Sequence, residues 1–202
     1  MGKIVISSNV TLDGVVQDPD GEEGFARGGW FHQFVAGKDL EDWVARETRE
    51  ALSAEALLLG GRSSEWFAAR MLARDGADLR VSPEWANRVR SMPKYIVSST
   101  LEDPRWNNAT VLDGDVVQEI SELKRKVDGE ILVYGSYRLV RTLMEQSLAD
   151  ELRLVVFPVV LGTGLRIFDE TNDRTPLRLV DTRKMGEGLV FHTYEFERGQ
   201  RL

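Results

Sequence analysis

Cysteine is absent from the 202-residue chain, and histidine is nearly absent, because only His32 and His192 are present. Without cysteine there can be no disulfide and no thiolate metal site. Two histidines are too few for a histidine-rich zinc site, and we predict no metal centre. The apolar run at the start, Ile4 to Ile6, is too short for a signal peptide or a membrane-spanning helix. We therefore expect a protein of the reducing cytoplasm.

Basic residues are in deficit. The chain has 26 Lys and Arg against 33 Asp and Glu, which gives a formal net charge of −7. Such a chain is a poor general binder of nucleic acid, so any phosphate it holds must be bound locally. Its 42% hydrophobic and 29% charged residues are typical of a globular protein. The length suits one well-buried core, and we predict a single domain over residues 1–202 with no nucleic-acid or membrane partner.

Seven segments are predicted to be β-strands, most of them continuous apolar runs of the kind that parallel sheets bury on both faces. They cover residues 3–8, 56–59, 94–98, 131–134, 152–158, 177–180 and 189–196. Helical spacing of apolar residues predicts helices that begin near Leu40, Val116 and Leu139. Residues 18–29 are expected to be a long loop, and residues 70–92 short surface helices. Alternation of strands and helices indicates a mostly parallel sheet, whereas the last two strands, joined at Gly186-Glu187-Gly188, predict an antiparallel hairpin.

Small and hydroxyl-bearing residues follow three of these strands, at the edge where open α/β sheets bind ligands. They are Gly60, Arg62, Ser63 and Ser64, then Ser98 and Ser99, then Gly135, Ser136 and Tyr137. Two of the turns open helices, whose N-termini offer backbone N–H groups to phosphate. Taken alone, the serines could simply cap a helix and Gly135 could serve a tight turn, and the G-x-G-x-x-G and Walker motifs are absent. Together the turns predict a site for a ligand with several phosphates.

Short motifs along almost the whole chain carry a family resemblance. In order they are Thr11-Leu12-Asp13-Gly14, Gly28-Gly29-Trp30, Leu57-Leu58-Leu59-Gly60 with Arg62-Ser63, Pro93 to Leu101, Trp106-Asn107-Asn108, Val133-Tyr134-Gly135-Ser136, Leu148 to Leu152, and Pro158 to Gly164 with Phe168. The ordered set resembles the bacterial dihydrofolate-reductase-like family, which includes the reductase domain of riboflavin biosynthesis. The resemblance implies a three-layer α/β sandwich with a mostly parallel central sheet, an antiparallel C-terminal hairpin and helices on both faces.

The resemblance also implies an NADPH-dependent oxidoreductase that is related to aminouracil reductase or to dihydrofolate reductase, with NADH as the other cofactor to consider. Ser63 and the Gly135-Ser136 turn would hold the pyrophosphate, and Ser98-Ser99 would meet the adenosine ribose with its 2′-phosphate. Val16 would lie in the loop that covers the nicotinamide. Four departures stand out. Gly61 and Ser99 replace arginines of many relatives, Tyr134 replaces the glutamate of the riboflavin-pathway enzymes, and residues 30–35 lack the acid of folate reductases.

The substrate half of the site rests on fewer residues. Trp30, Phe31 and Phe34 could line an apolar pocket for a small heterocycle or carbonyl compound, or they could be plain core aromatics. Asp13 is the carboxylate that we nominate for a chemical role, although an Asp-Gly pair is also a common turn. His32 is a further candidate proton donor.

Two functions from different classes therefore remain. One is a nicotinamide-dependent reductase of a small molecule. The other is a non-catalytic module on the same fold that binds a small molecule or nucleotide as a dimer. The family resemblance implies a homodimer, and apolar Leu154, Val156, Val159 and Val160 near the sheet edge suggest where it would form.

Overall fold

The computed structural model describes residues 1–73, 81–106, 108–168 and 174–197. Asn107, one residue of the motifs above, and residues 74–80 of the expected surface helices lie outside these ranges. The strands are β1 (Lys3–Thr11), β2 (Ala54–Gly60), β3 (Lys94–Val97), β4 (Ala109–Leu112), β5 (Glu130–Tyr134), β6 (Glu151–Phe157), β7 (Leu177–Met185) and β8 (Leu189–Phe196). The helices are α1 (Trp30–Phe34), α2 (Gly37–Ser53), α3 (Gly61–Ala73), α4 (Pro83–Ser91), α5 (Val116–Lys126) and α6 (Tyr137–Glu145).

The chain divides into two compact units. Unit 1 comprises residues 1–6 and 44–150. Its strands lie in the order β4-β3-β2-β5-β1, and β2 pairs in parallel with both β3 and β5. The middle strand has Leu57, Leu58 and Leu59 fully buried. These residues show no alternation because both faces of the strand are covered, as expected for a parallel sheet.

Unit 2 comprises residues 7–43 and 151–202. It holds the second half of β1 and the strands β6, β8 and β7 in that order, with antiparallel pairing of β6 with β8 and of β8 with β7. The turn between β7 and β8 is anchored by α2: Asp39 accepts the N–H of Gly188 at 3.1 Å, and Asp42 accepts the N–H of Gly186 at 2.8 Å.

The predicted fold class is confirmed: a mixed sheet with helices, parallel in unit 1 and antiparallel at its C-terminal strands. The hairpin turn at residues 186–188 is confirmed too. Two elements were missed, the four-residue strand β4 and the five-residue helix α1, because both are too short to show a period. Strand β7 extends beyond the predicted residues 177–180. Residues 181–184 are polar and exposed on this edge strand, so they show no apolar pattern from which a strand could be predicted.

Candidate functional site

Two serines lock together the turns at the carboxyl ends of β2 and β5. The backbone N–H of Gly60 donates to Ser136 Oγ at 3.0 Å, and the N–H of Ser136 donates to Ser63 Oγ at 3.0 Å. The Ser136 hydroxyl donates in turn to the Tyr134 carbonyl at 3.0 Å. We call Gly60, Ser63, Gly135 and Ser136 the double turn. It fixes the first turns of α3 and α6 side by side.

The double turn needs unusual backbone conformations. Gly135 and Ser136 follow one another with φ of 54° and 58°, both in the left-handed region. A Cβ atom at Gly135 would lie 3.3 Å from Ser63 Oγ, so the contact leaves little room for a side chain. Ser136 is not glycine, and its left-handed backbone has an energetic cost that the hydrogen bonds to Gly60, Ser63 and Tyr134 must offset. Such conformations concentrate at functional sites.

The structure corrects the expected use of these donors. The Gly60 and Ser136 N–H groups are not free for phosphate, because serine hydroxyls accept them. Ser63 does not act as the cap of its own helix but holds the opposite turn. What remains for an anion are the first-turn N–H groups of the two helices, such as those of Arg62 and Ser63, which have no acceptor within the helix. The N-terminus of α6 has no side-chain cap.

The third predicted turn lies next in line along the same edge. The strand β3 pairs in parallel with β2, with Val97 opposite Gly60. Ser98 Oγ accepts the N–H groups of Thr100 at 3.3 Å and Leu101 at 3.2 Å, which makes it a turn-forming residue. Ser99 and Arg62 are exposed, and Tyr137 is half-buried. The three turns therefore share one edge of unit 1, while the role of each residue in holding a cofactor stays a prediction.

A buried charged cluster beneath the double turn was not predicted. Tyr134 Oη donates to Glu50 Oε2 at 3.1 Å, and Arg46 pairs with Glu50 at 2.7 Å and also with Glu47. Burial raises the pKa of Glu47 to about 7, because the attraction of Arg46 only partly offsets the lost hydration. Helical spacing places Arg46, Glu47 and Glu50 on the face of α2 that carries Ala51, but the sequence does not show that this face buries its charged residues.

In unit 2, Asp13 is a fixed acceptor. Its carboxylate accepts hydrogen bonds from Thr11 Oγ1 at 2.7 Å, from the Gly162 N–H at 2.8 Å and from the Leu161 N–H at 3.1 Å. Arg166 Nη2 lies 3.6 Å away. Burial alone would raise the pKa of Asp13, but the hydrogen bonds from Thr11, Gly162 and Leu161 outweigh it and lower the pKa to about 2.

The predicted aromatic lining is divided between core and surface. Trp30 and Phe31 are buried, and both rings pack on Phe157, with centroids 5.1 Å and 5.4 Å away. Phe34 is 39% exposed. Val16 is buried as well, and its N–H donates to the Leu165 carbonyl at 2.9 Å. The substrate role of the aromatics stays a prediction, but Phe34 presents the most accessible ring of the three.

The loop expected at residues 18–29 folds around Asp18. Its buried carboxylate accepts the N–H groups of Glu23 at 2.9 Å and Phe25 at 3.0 Å. His32 is exposed and lies 3.8 Å from Asp20. Among the described residues, no group of three His, Asp or Glu side chains is placed to hold a metal ion, and no described helix has the length and hydropathy to cross a membrane.

Residues 2–191 match the family model described as RibD C-terminal domain. Two curated relatives from Bacillus subtilis are both called uncharacterized. YyaP is 26% identical over 199 residues, covering 96% of this chain and 95% of YyaP. YwjB is 28% identical over 98 residues, covering 48% of this chain and 56% of YwjB.

Three solved structures are similar in fold. A protein of Shewanella that is provisionally named a riboflavin biosynthesis protein aligns with a TM-score of 0.72 at 18% identity, covering 97% of this chain and 99% of that one. A pyrimidine reductase-like protein of Corynebacterium diphtheriae aligns with a TM-score of 0.55 at 13% identity, covering 98% of this chain and 92% of that one. The deaminase and 5-amino-6-(5-phosphoribosylamino)uracil reductase of Thermotoga maritima aligns with a TM-score of 0.61 at 13% identity, covering 96% of this chain and 56% of that one.

Proposed function

We propose, from the premise that this chain belongs to the RibD C-terminal domain family, that the protein is a reductase that takes hydride from a nicotinamide dinucleotide. The observation that carries the proposal is the double turn, in which Ser63 and Ser136 fix two helix N-termini side by side at one sheet edge. A pyrophosphate carries two adjacent negative charges, and paired helix N-termini suit it.

Each part of the double turn has a definite task in this proposal. The first-turn N–H groups of α3 and α6 would face the pyrophosphate oxygens, and the Gly60 and Ser136 N–H groups set the positions of those helices. When bound, the dinucleotide supplies the hydride. Because the net charge of −7 repels an anion at long range, the affinity must come from these local donors.

Asp13 does not fit the role of proton donor. With a pKa of about 2 it is ionised at neutral pH, and Thr11, Leu161 and Gly162 occupy its oxygens. We propose instead that it is a positioning residue, which holds the segment around Leu161 and Gly162 against the end of β1. A substrate proton would then come from another group or from water.

The substrate class that we propose is a small heterocycle or carbonyl compound. The Thermotoga protein named above is called a reductase of a phosphoribosylaminouracil, but the position before the glycine turn, a glutamate in the riboflavin-pathway enzymes, is Tyr134 here. Its hydroxyl is buried and donates to Glu50. That arrangement supports a substrate other than the ribosylated pyrimidine.

Fluorescence titration tests the cofactor part of the proposal. Trp106 lies next to the candidate edge, since its Nε1 donates to the Ser64 carbonyl at 3.3 Å. Excitation of tryptophan in the presence of NADH or NADPH should give saturable quenching together with enhanced emission from the reduced nicotinamide. Absence of both signals at millimolar concentrations of NADH and of NADPH would contradict the proposal.

A non-catalytic binding module is the second candidate, and the occupied carboxylate of Asp13 favours it. The two functions separate in a turnover assay, in which dinucleotide oxidation is followed spectroscopically with a panel of pterins, flavins, quinones and small ketones. Oxidation that depends on both protein and acceptor supports a reductase. Saturable dinucleotide binding without oxidation by any acceptor supports the binding module.

A further inference from the structure

A chain of hydrogen bonds joins the double turn to the buried residues Arg46, Glu47, Glu50 and Tyr134, which we call the charged cluster and which all belong to unit 1. Tyr134 takes part at both ends of this chain. Its hydroxyl donates to Glu50 Oε2 at 3.1 Å, and its carbonyl accepts the Ser136 hydroxyl at 3.0 Å. The same Ser136 oxygen accepts the backbone N–H at the end of β2. The cluster and the double turn therefore meet in one residue.

The charged cluster is almost closed to solvent, since each of its four residues is 5 to 7% exposed. It sets two carboxyl groups against one guanidinium, because Arg46 pairs with both Glu47 and Glu50. With both carboxyl groups ionised, the cluster holds one net negative charge. Buried surroundings disfavour an unbalanced charge, so a proton on one of the carboxyl groups restores neutrality.

The neighbouring helices contribute rings to the cluster. Phe67 of α3 and Trp85 of α4 lie with their centroids 6.2 Å and 6.4 Å from that of Tyr134. Arg88, one turn further along α4, donates instead to two backbone carbonyls at the end of α2. The charge balance of the cluster is therefore set by its own members.

The proton of the cluster leaves near neutral pH. Burial raises the pKa of Glu47 to about 7, against the opposing effects of Arg46 and of a hydrogen bond from Tyr134. Burial also raises the pKa of Tyr134 well above its ordinary 10, so its hydroxyl remains a donor throughout this range. Loss of the Glu47 proton sets two ionised carboxylates against one guanidinium, with the Tyr134 hydroxyl in contact with both.

We infer that Tyr134 is a positioning residue that ties the double turn to the charged cluster, so that the double turn binds an anionic ligand tightly only while the cluster holds its proton. The inference rests on the proposed function, because it takes the dinucleotide pyrophosphate as that ligand. Repulsion between the ionised carboxylates displaces the phenol that contacts both. Gly135 and Ser136, with left-handed φ of 54° and 58°, follow Tyr134 directly, so its displacement reaches the double turn. The added negative charge also opposes an anion.

Calorimetric titration of the full chain with NADH at pH 6 and at pH 8.5 tests the inference. NADH is the probe because its two phosphates stay ionised over this range. Its affinity should be at least about fivefold lower at pH 8.5. Glu47→Gln, whose amide is neutral at both pH values, should bind as tightly at pH 8.5 as at pH 6. Tyr134→Phe should bind about fivefold more weakly already at pH 6 and lose little more at pH 8.5.

Two matched controls come from the same unit. Glu55→Gln changes an exposed glutamate of β2, and Tyr95→Phe removes the hydroxyl of a half-buried tyrosine of β3. Each should keep the affinity and the pH dependence of the unmodified chain. Equal affinity of the unmodified chain at the two pH values overturns the inference and leaves the proposed function standing. A Glu47→Gln variant that loses affinity at pH 8.5 as the unmodified chain does also overturns it.

Amide NMR gives a second readout that needs no ligand. The amide signals of Gly60 and Ser136 should shift with a midpoint near pH 7 in the unmodified chain, and Glu47→Gln should abolish this shift. Because that variant keeps His32 and His192, a shift caused by a histidine would persist in it and would overturn the inference. The expected amide shifts without NADH binding at either pH overturn the proposed function and leave the link between Tyr134 and the cluster standing.

Discussion

At the scale of single residues, individual hydrogen bonds define the geometry of the candidate site more closely than the sequence motifs do. Ser63 and Ser136 looked like generic helix-start residues in the sequence, yet each hydroxyl accepts a backbone N–H of the other turn. Both residues can be located from the sequence, but these hydrogen bonds cannot, because they join positions 73 and 76 residues apart. Neither the left-handed backbone of Ser136 nor the occupied oxygens of Asp13 leave any mark in the sequence.

The variant Ser63→Ala tests the double turn. It removes the acceptor of the Ser136 N–H, and we expect the free energy of unfolding to fall by about 1 kcal/mol, typical of a lost hydrogen bond. Dinucleotide affinity should fall about tenfold, since α6 loses its fixed position. Calorimetry and denaturant unfolding measure the two effects.

Ser121→Ala is the matched control for that variant. Ser121 Oγ donates to the Val117 carbonyl at 2.6 Å on α5, away from the double turn. A loss of affinity as large in the control as in Ser63→Ala would contradict the assigned role.

Asp13→Asn tests the positioning role. The pKa of Asp13 lies at about 2, below its ordinary 3.8, so the ionised carboxylate stabilises the fold above pH 3.8 and this contribution is lost as pH falls through 2. At neutral pH the variant should lose up to about 2 kcal/mol of unfolding free energy, because the amide keeps only one acceptor oxygen. Thermal unfolding at pH 7 and at pH 2 checks this. A loss of equal size at both pH values would contradict the account.

At the scale of elements, buried strands were predictable and polar or short ones were not. The inner segments of β2 and β5 are continuous apolar runs, and the predicted bounds differ from the observed ones by at most two residues. The polar second half of β7 gave no signal because edge strands are solvated. In helix α2 the element was predictable but the burial of its charged residues was not. Its apolar period was visible, but Arg46, Glu47 and Glu50 lie on the buried face, where burial is set by tertiary packing.

Glu47, on the buried face of α2, should make the free energy of unfolding depend on pH. The pKa of Glu47 is raised from 4.5 to about 7, mainly by burial, so the folded state holds a proton that the unfolded state releases between these values. The unfolding free energy should therefore fall as pH rises from 4.5 to 7, by about 2 to 3 kcal/mol. Glu47→Gln should flatten this slope, as measured by urea unfolding across the range.

Glu55→Gln is the control for that experiment, since Glu55 is an exposed glutamate in the same unit. It should keep the slope of the unmodified chain. An unchanged slope in Glu47→Gln would show that Glu47 does not carry the proton in question, and would contradict the assignment.

At the scale of the whole molecule, we propose that the chain forms a homodimer. Of the four apolar residues that suggested it, Leu154 is buried, Val156 and Val159 are half-buried, and Val160 is 63% exposed, so Val160 offers the most open surface. Light scattering at micromolar concentration should give twice the mass of one chain. Val160→Lys should lower that mass, whereas Leu52→Lys, at a site 56% exposed on α2, should not. A monomer before any substitution would contradict the proposal.

We propose that the double turn of unit 1 holds the pyrophosphate of a nicotinamide dinucleotide. A crystal structure of the protein grown or soaked with millimolar NADH shows directly whether it does. We expect pyrophosphate density against the first turns of α3 and α6, within hydrogen-bond distance of the backbone N–H groups near Arg62 and Arg138. Dinucleotide density at another place, or none against these two turns, would contradict it.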